Sequence, residues 1–163
     1  MSIIREQIMS AVKTKLETIT TANGYNNSIQ QVERMTVTPI SEHELPAIFI
    51  YEEREDVEAS GSLVNLGLYS NTLSITLECW INDDDSAEKA TQLNSLLEDV
   101  VKAMQADVQW TNDSDVKLAI DTIYTGNKTL LEFSSARGDG YLGLLVNFNI
   151  EYRCKFGDLS SRV

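Results

Sequence analysis

The fold class of this chain is decided by the segment LGLLVNFNIEYRCKF, residues 142–156. Apolar residues occupy every second position of this segment, and polar or charged residues occupy most of the positions between them. Strict alternation places the two sets on opposite faces of an extended strand. The pattern therefore predicts a long strand with one face in the core. The apolar set consists of Leu142, Leu144, Val146, Phe148, Ile150, Tyr152, Cys154 and Phe156.

Four earlier segments also have the character of strands. Residues 73–81 alternate between apolar and polar side chains, which predicts a half-buried antiparallel strand with Trp80 on the otherwise polar face. Residues 45–51, LPAIFIY, indicate a buried strand that begins near Pro46, because a proline cannot donate to the interior of a central strand. Weaker patterns predict strands over residues 29–37 and 118–125.

Two segments carry apolar residues at helical spacing. The first covers residues 2–21 and ends at Asn23-Gly24, residue types that tolerate the left-handed conformation after a helix. The second follows Asp83-Asp84-Asp85, whose carboxylates suit the positive end of a helix dipole. Its apolar arc consists of Ala90, Leu93, Leu96, Leu97, Val100, Val101 and Met104, and its polar arc contains Glu88, Gln92, Ser95, Asp99 and Lys102.

These elements predict a single α+β domain over residues 1–163, in the order α-β-β-β-α-β-β. Helices with one apolar stripe and strands with one polar face require two layers. We therefore expect two amphipathic helices packed on one face of a mostly antiparallel sheet. Long loops are expected at about 52–68 and 126–140.

The charge of the chain limits its partners. The formal net charge is −12 and the sequence pI is about 4.4. Such a surface repels phosphate, which disfavours tight nucleic-acid binding. No segment has the length of apolar sequence that a membrane helix or a secretory leader needs, so we expect a cytosolic protein without a membrane partner.

The residues that a catalyst would use are scarce. His43 lies in a polar run and is interpreted as a solvated loop residue, and Cys79 and Cys154 fall at core positions, where reduced thiols are expected. Asp83-Asp84-Asp85 is interpreted as a helix cap, since the glycine and distal glutamate of a calcium loop are missing. We therefore predict no catalytic residue, no metal site and no cofactor, and we predict that the protein is not an enzyme.

Three aromatic residues and one loop motif are further candidates for binding sites. Trp80, Tyr69 and Tyr141 lack interleaved basic residues, so packing or protein contact is favoured over stacking on bases. Arg137-Gly138-Asp139 is interpreted as a flexible loop tip.

Several segments together resemble the tail terminator (gpU-like minor tail protein) family of tailed bacteriophages. They are the N-terminal helix ending near Asn23-Gly24-Tyr25, the segments LPAIFIYE at 45–52 and ECWI at 78–81, the acidic lead at 83–85 and the closing VNFNIEYR at 146–153. The similarity covers nearly the whole chain and depends on the order of the elements.

The resemblance implies a structural virion protein at the tail-neck junction, assembled in the host cytoplasm. Its subunits would close into a hexameric ring on the last ring of the tail tube, stop tube polymerisation and dock the head connector. It would need no cofactor, DNA would pass through the ring without specific binding, and in a contractile tail the sheath protein would be a further partner.

Contact residues are expected in the two long loops. An acidic pore lets DNA slide without sticking, so some of the residues Glu52, Glu53, Glu55, Asp56 and Glu58 are predicted to face the lumen or an adjacent subunit. Lys128, Arg137 and Asp139 in the second loop are predicted to contact the tube or the connector.

Other functions stay open at this point. A neck stopper or adaptor and a tube subunit are alternatives of the same class, and a tube subunit would polymerise indefinitely. A small acidic immunity or inhibitor protein is an alternative of another class, and it would stay monomeric until it met a basic partner.

Overall fold

The computed structural model describes residues 3–36, 44–58, 66–82, 88–112, 114–130 and 141–155. Within these residues the chain forms two α-helices and five strands, with a short 3-10 helix (Thr21–Asn23) after the first α-helix. In chain order the elements are α1 (Ile4–Glu17), β1 (Gln31–Arg34), β2 (Ala47–Glu58), β3 (Leu68–Asn82), α2 (Lys89–Ala106), β4 (Asp121–Thr129) and β5 (Tyr141–Lys155).

The strands form one mixed sheet in the order β1-β2-β3-β5-β4. β1 runs parallel to β2, and every other pair of neighbours is antiparallel. The predicted α+β class, with two helices and a mostly antiparallel sheet, is confirmed. The parallel pair and the position of β5 between β3 and β4 were not predicted, because periodicity shows which face of a strand is buried and does not show its neighbours.

Both helices pack on one face of the sheet. Their apolar stripes share a single core cluster with the inward side chains of β2, β3 and β5. The alternation that predicted β5 is confirmed, since Leu144, Val146, Phe148 and Ile150 are buried on this face. The helix residues in the core are Ile4, Ile8, Met9, Val12 and Leu16 of α1 and Leu93, Leu96, Val100, Ala103 and Met104 of α2.

The opposite face carries a second, smaller apolar cluster. Trp80, expected on a polar face, is 1% exposed and packs with Ala47, Phe49, Leu130 and Tyr141. Its indole nitrogen donates a hydrogen bond to the Glu78 carboxylate at 2.7 Å, so the polar edge of the ring is satisfied. Trp80 and Tyr141 are therefore core residues of this second cluster.

The predicted loop at 52–68 is wrong in its first part. β2 continues to Glu58 as a partner of β3, although residues 52–58 are almost entirely charged. The ladder with β3 pairs the backbone, and the charged side chains project to the surface or into ion pairs. The second predicted loop, 126–140, likewise begins inside β4, which ends at Thr129.

Helices long and apolar enough to cross a membrane are absent from the described residues.

Gly143 offers a test of the second cluster. A Cβ atom at this position would lie 2.8 Å from Cζ3 of Trp80 and 2.9 Å from its Cη2. We expect Gly143→Ala to lower the free energy of unfolding by about 1–3 kcal/mol, because the indole cannot move without disturbing its neighbours. Chemical denaturation measures this change.

The matched control repeats the substitution in a Trp80→Phe background. The smaller ring relieves the clash, so the cost of Gly143→Ala should shrink there. An equal cost in both backgrounds would show that the contact with Trp80 is not its source.

Candidate functional site

A β-bulge in β2 divides the acidic residues that were predicted to form one contact surface. The pairing with β3 shifts between Glu52 and Arg54, which leaves Glu53 as an extra residue. Glu52 and Glu55 stand opposite Ile75 and Leu73, whose side chains lie in the core beneath the helices. Glu52 lies on the helix side by the alternation that begins at Ile48, and the bulge brings Glu55 to the same side. Glu53 accepts a hydrogen bond from the Thr76 hydroxyl on the opposite face.

Glu52 and Glu55 form ion pairs within the subunit. Arg5, in the first turn of α1, lies 2.8 Å from the Glu52 carboxylate and 3.4 Å from that of Glu55. Arg34, at the end of β1, bridges Glu6 at 2.7 Å and Glu52 at 2.6 Å. The two arginines therefore fasten the N-terminal end of α1 to β1 and β2.

The pKa shifts in this network agree with its geometry. The hydrogen bond from Arg34 lowers the pKa of Glu6, and the hydrogen bonds to Glu6 and Glu52 raise the pKa of Arg34. Tyr152 of β5 donates a hydrogen bond to Glu55, and burial together with that carboxylate raises the pKa of the phenol. The network thus favours the charged form of Arg34 and the protonated form of Tyr152.

The other three predicted residues are open to solvent. Glu53, Asp56 and Glu58 are all exposed. Asp56 forms a surface ion pair with Arg54 at 2.7 Å, which is weak because both side chains are hydrated. Among the residues predicted to meet the lumen or a neighbour, these three have side chains directed outward.

The second predicted contact group is described only in part. Lys128 lies exposed near the end of β4, at an outer edge of the sheet. Arg137 and Asp139 lie outside the described residues, as do His43 and Asp83-Asp84-Asp85.

Asp99 is a structural residue that the sequence did not reveal. Helical periodicity put it on the polar arc of α2, yet it is 1% exposed. Its carboxylate accepts hydrogen bonds from the backbone and side-chain amides of Asn26 and Asn27, at 2.8 to 3.0 Å. The pair of asparagines just after Gly24 was the available signal, since such residues often bind at turns.

A reactive centre does not assemble within the described ranges. Those residues contain no group of three or more histidines, cysteines, aspartates or glutamates that could hold a metal ion. Cys79 and Cys154 are buried and unbridged, and burial raises the pKa of the Cys79 thiol, so it is a poor nucleophile.

A cleft of about 660 Å³ lies between α1 and residues 107–114. Hydroxyl and amide side chains make up most of its lining, with Glu6, Lys15 and Asp107 as its charged groups. The Asp107 carboxylate accepts hydrogen bonds from the backbone N–H groups of Gln109 and Thr111. Burial alone would raise the pKa of Asp107, but these hydrogen bonds lower it. The cleft therefore combines polar contacts without a nucleophile and an adjacent base.

Comparison with known proteins adds no relative. No protein-family model matches the chain, and a search of curated proteins found no match.

The Tyr152 phenol predicts how stability depends on pH. Because the folded-state pKa of Tyr152 lies above its ordinary value of 10.0, the contribution of the protonated phenol to the unfolding free energy is complete below that value. It is lost as the pH rises, by up to about 1.4 kcal/mol per pH unit, since only the unfolded chain ionises there. We expect Tyr152→Phe to be less stable at about pH 8 and to lose less stability between about pH 10 and 11. Equally steep losses in urea denaturation of both proteins would contradict this assignment.

Asp99 supports a second prediction. Asp99→Asn replaces an acceptor by a donor that faces the amides of Asn26 and Asn27, so we expect a loss of about 2–4 kcal/mol in unfolding free energy. Glu98→Gln, on the exposed side of the same helix, is the matched control and should change stability little. Similar denaturation midpoints for both variants would show that the buried contacts contribute little.

Proposed function

We propose that the protein is a tail terminator subunit of a tailed bacteriophage. In this role subunits close into a ring, as a hexamer, on the last ring of the tail tube, stop its polymerisation and offer a docking surface to the head connector and neck proteins. The protein is a structural component of the virion at the tail-neck junction and acts without a cofactor.

The observation that carries the proposal is the distribution of packing around the sheet. Both helices cover one face, and no helix of the described residues lies on the other face. A ring subunit needs two different side surfaces and a lumen surface, whereas an enzyme needs a site where reactive groups converge. Broad surfaces with no such convergence among the described residues suit the first role.

We assign the sheet face opposite the helices to the channel for DNA. Its central positions carry hydroxyl and amide groups that bind one another, as in the contacts Ser74 to Asn149 at 3.0 Å and Thr76 to Asn147 at 2.7 Å. These groups are uncharged, and the whole chain carries a net charge of −12. Along β2, β3 and β5 the same face also carries Arg54, Arg153 and Lys155. These cations are outnumbered by the carboxylates of Glu53, Asp56, Glu58, Glu78 and Glu151, so the duplex can pass without specific binding.

The exposed carboxylates of β2 extend this face. The side chains of Glu53 and Asp56 lie on this face of the sheet, and Glu58 is the last residue of β2. We assign these three to the lumen, and we assign Glu52 and Glu55 to the interior of the subunit. We assign Lys128, near the end of β4, to contact with the tube, the connector or, in a contractile tail, the sheath.

Charge reversal tests this assignment. We expect Asp56→Lys/Glu58→Lys to keep the fold, because both residues are exposed, and to impair DNA passage or ring closure. The matched control is Glu88→Lys/Glu98→Lys, which makes the same change in net charge on exposed residues at the start and on the outer side of α2. The readouts are circular dichroism, ring formation by light scattering and negative-stain microscopy with tail tubes, and infectivity.

Three results would contradict the proposal. Indefinite growth of tubes from the purified protein would identify a tube subunit, and a protein that stays monomeric and never binds tube ends would exclude a terminator. Equal infectivity of the two charge-reversal variants would remove the lumen assignment.

A further inference from the structure

The sheet has two outer strands, and they lie at opposite ends of it. β1 pairs only with β2 among the described strands, and β4 pairs only with β5. An unpaired strand edge offers backbone donors and acceptors to any extended segment, so proteins usually cover or charge such edges. Both edges of this sheet are therefore candidates for contact with another chain.

The β4 edge is the more apolar of the two. Ile123 is 43% exposed and Tyr124 is 36% exposed, and Ile120 just before the strand is 38% exposed. A second bulge lies between Tyr124 and Gly126, where the pairing with β5 shifts by one residue. The bulge divides the edge into two regular stretches, Asp121–Tyr124 and Gly126–Thr129, and the first of them carries Ile123 and Tyr124.

The β1 edge is also short and lies beside a groove. β1 contains four residues, Gln31–Arg34, the same length as the stretch Asp121–Tyr124 of β4. A groove of about 280 Å³ lies between α1 and this edge, with Lys13 and Glu17 on one side and Ile29 and Val32 on the other. The Oε1 atom of Gln31 and the Nε atom of Arg34 are buried without a hydrogen-bond partner among the described residues.

We propose that β4 of one subunit pairs with β1 of the next copy of this chain, with Tyr124 in the groove beside β1. The inference depends on the proposed ring. Each subunit of a head-to-tail ring contributes two different patches, and each patch contacts one neighbour. If the β1 edge and the β4 edge are these patches, ring closure pairs every edge.

Strand direction supports this pairing. β1, β2 and β5 run in one direction, and β3 and β4 run in the other. β4 therefore runs opposite to β1. Rotation about an axis parallel to the strands preserves these directions. The junction between copies is therefore antiparallel.

The side-chain faces limit the register of the junction. Val32 and Arg34 of β1 stand opposite Ile48 and Ile50 on the helix side, and Thr122 and Tyr124 of β4 stand opposite Ile150 and Phe148 on the same side. A continuous sheet must keep each set on its own face.

Within the stretch Asp121–Tyr124, which carries the exposed apolar residues, two registers satisfy this condition and bring most of that stretch together with β1. One of them places Asp121 opposite Glu33, which is unfavourable because like charges repel. The other places Tyr124 opposite Val32 and Ile123 opposite Glu33, and we assign this register.

Cysteine cross-linking tests the junction on the full chain. Purified Ile123→Cys and Glu33→Cys proteins are mixed, assembled with tail tubes and treated with a short bis-maleimide, which spans directly opposite residues. We expect a covalent dimer only in the mixture, and a ladder ending in a closed ring when one chain carries both substitutions. The native Cys79 and Cys154 are buried and should not react.

The control pairs Ile123→Cys with Glu98→Cys, an exposed residue of α2, and should give no dimer. A dimer of Ile123→Cys alone would show that two β4 edges meet, which overturns the inference. Rings that form without a cross-link between positions 123 and 33 would overturn it as well and would leave the terminator proposal intact. Failure to form rings or to bind tube ends would remove both.

Discussion

The antiparallel ladder between β3 and β5 is the interaction on which the rest of the structure depends. Each strand has 15 residues, and the register runs from Leu68 opposite Lys155 to Asn82 opposite Tyr141. Because side chains alternate, a slip of one residue would turn the apolar set of one strand away from the core. The ladder thereby determines which face receives both helices and which face keeps its hydroxyl and amide groups.

The elements predicted well from sequence are those whose signal is local and repeated. The alternation of β5 and the apolar arc of α2 each continue over many residues, so a single face is implied before any partner is known. Residues 52–58 were misjudged because their charge is typical of a loop, whereas the strand depends on pairing with β3, which is distant in sequence. Asp99 was misjudged for the same reason, because its partners at Asn26 and Asn27 meet it only in the folded chain.

The candidate contact residues show the same division between composition and geometry. Composition indicated an acidic cluster at residues 52–58. In the structure these residues form the second half of β2, and the bulge helps to distribute their side chains over both faces of the sheet. Glu52 and Glu55 neutralise Arg5 and Arg34 beside the core, and Glu53 and Asp56 face the other way. The acidic stretch thus combines an internal clamp on α1 with a negative outer surface.

The bulges also connect the fold to assembly. In β2 the bulge lets one strand contribute to both the core and the surface, and in β4 it divides the edge into two short regular stretches. A short edge limits the energy of any single strand contact, so two isolated subunits have little tendency to associate or to aggregate through it. In the proposed ring the closing contact forms within one assembly, at a high effective concentration, and leaves no terminal edge, so the closed ring is more stable than an open chain of the same subunits. A subunit whose edges are short and different from each other is therefore suited to assemble on a template, such as the end of a tube.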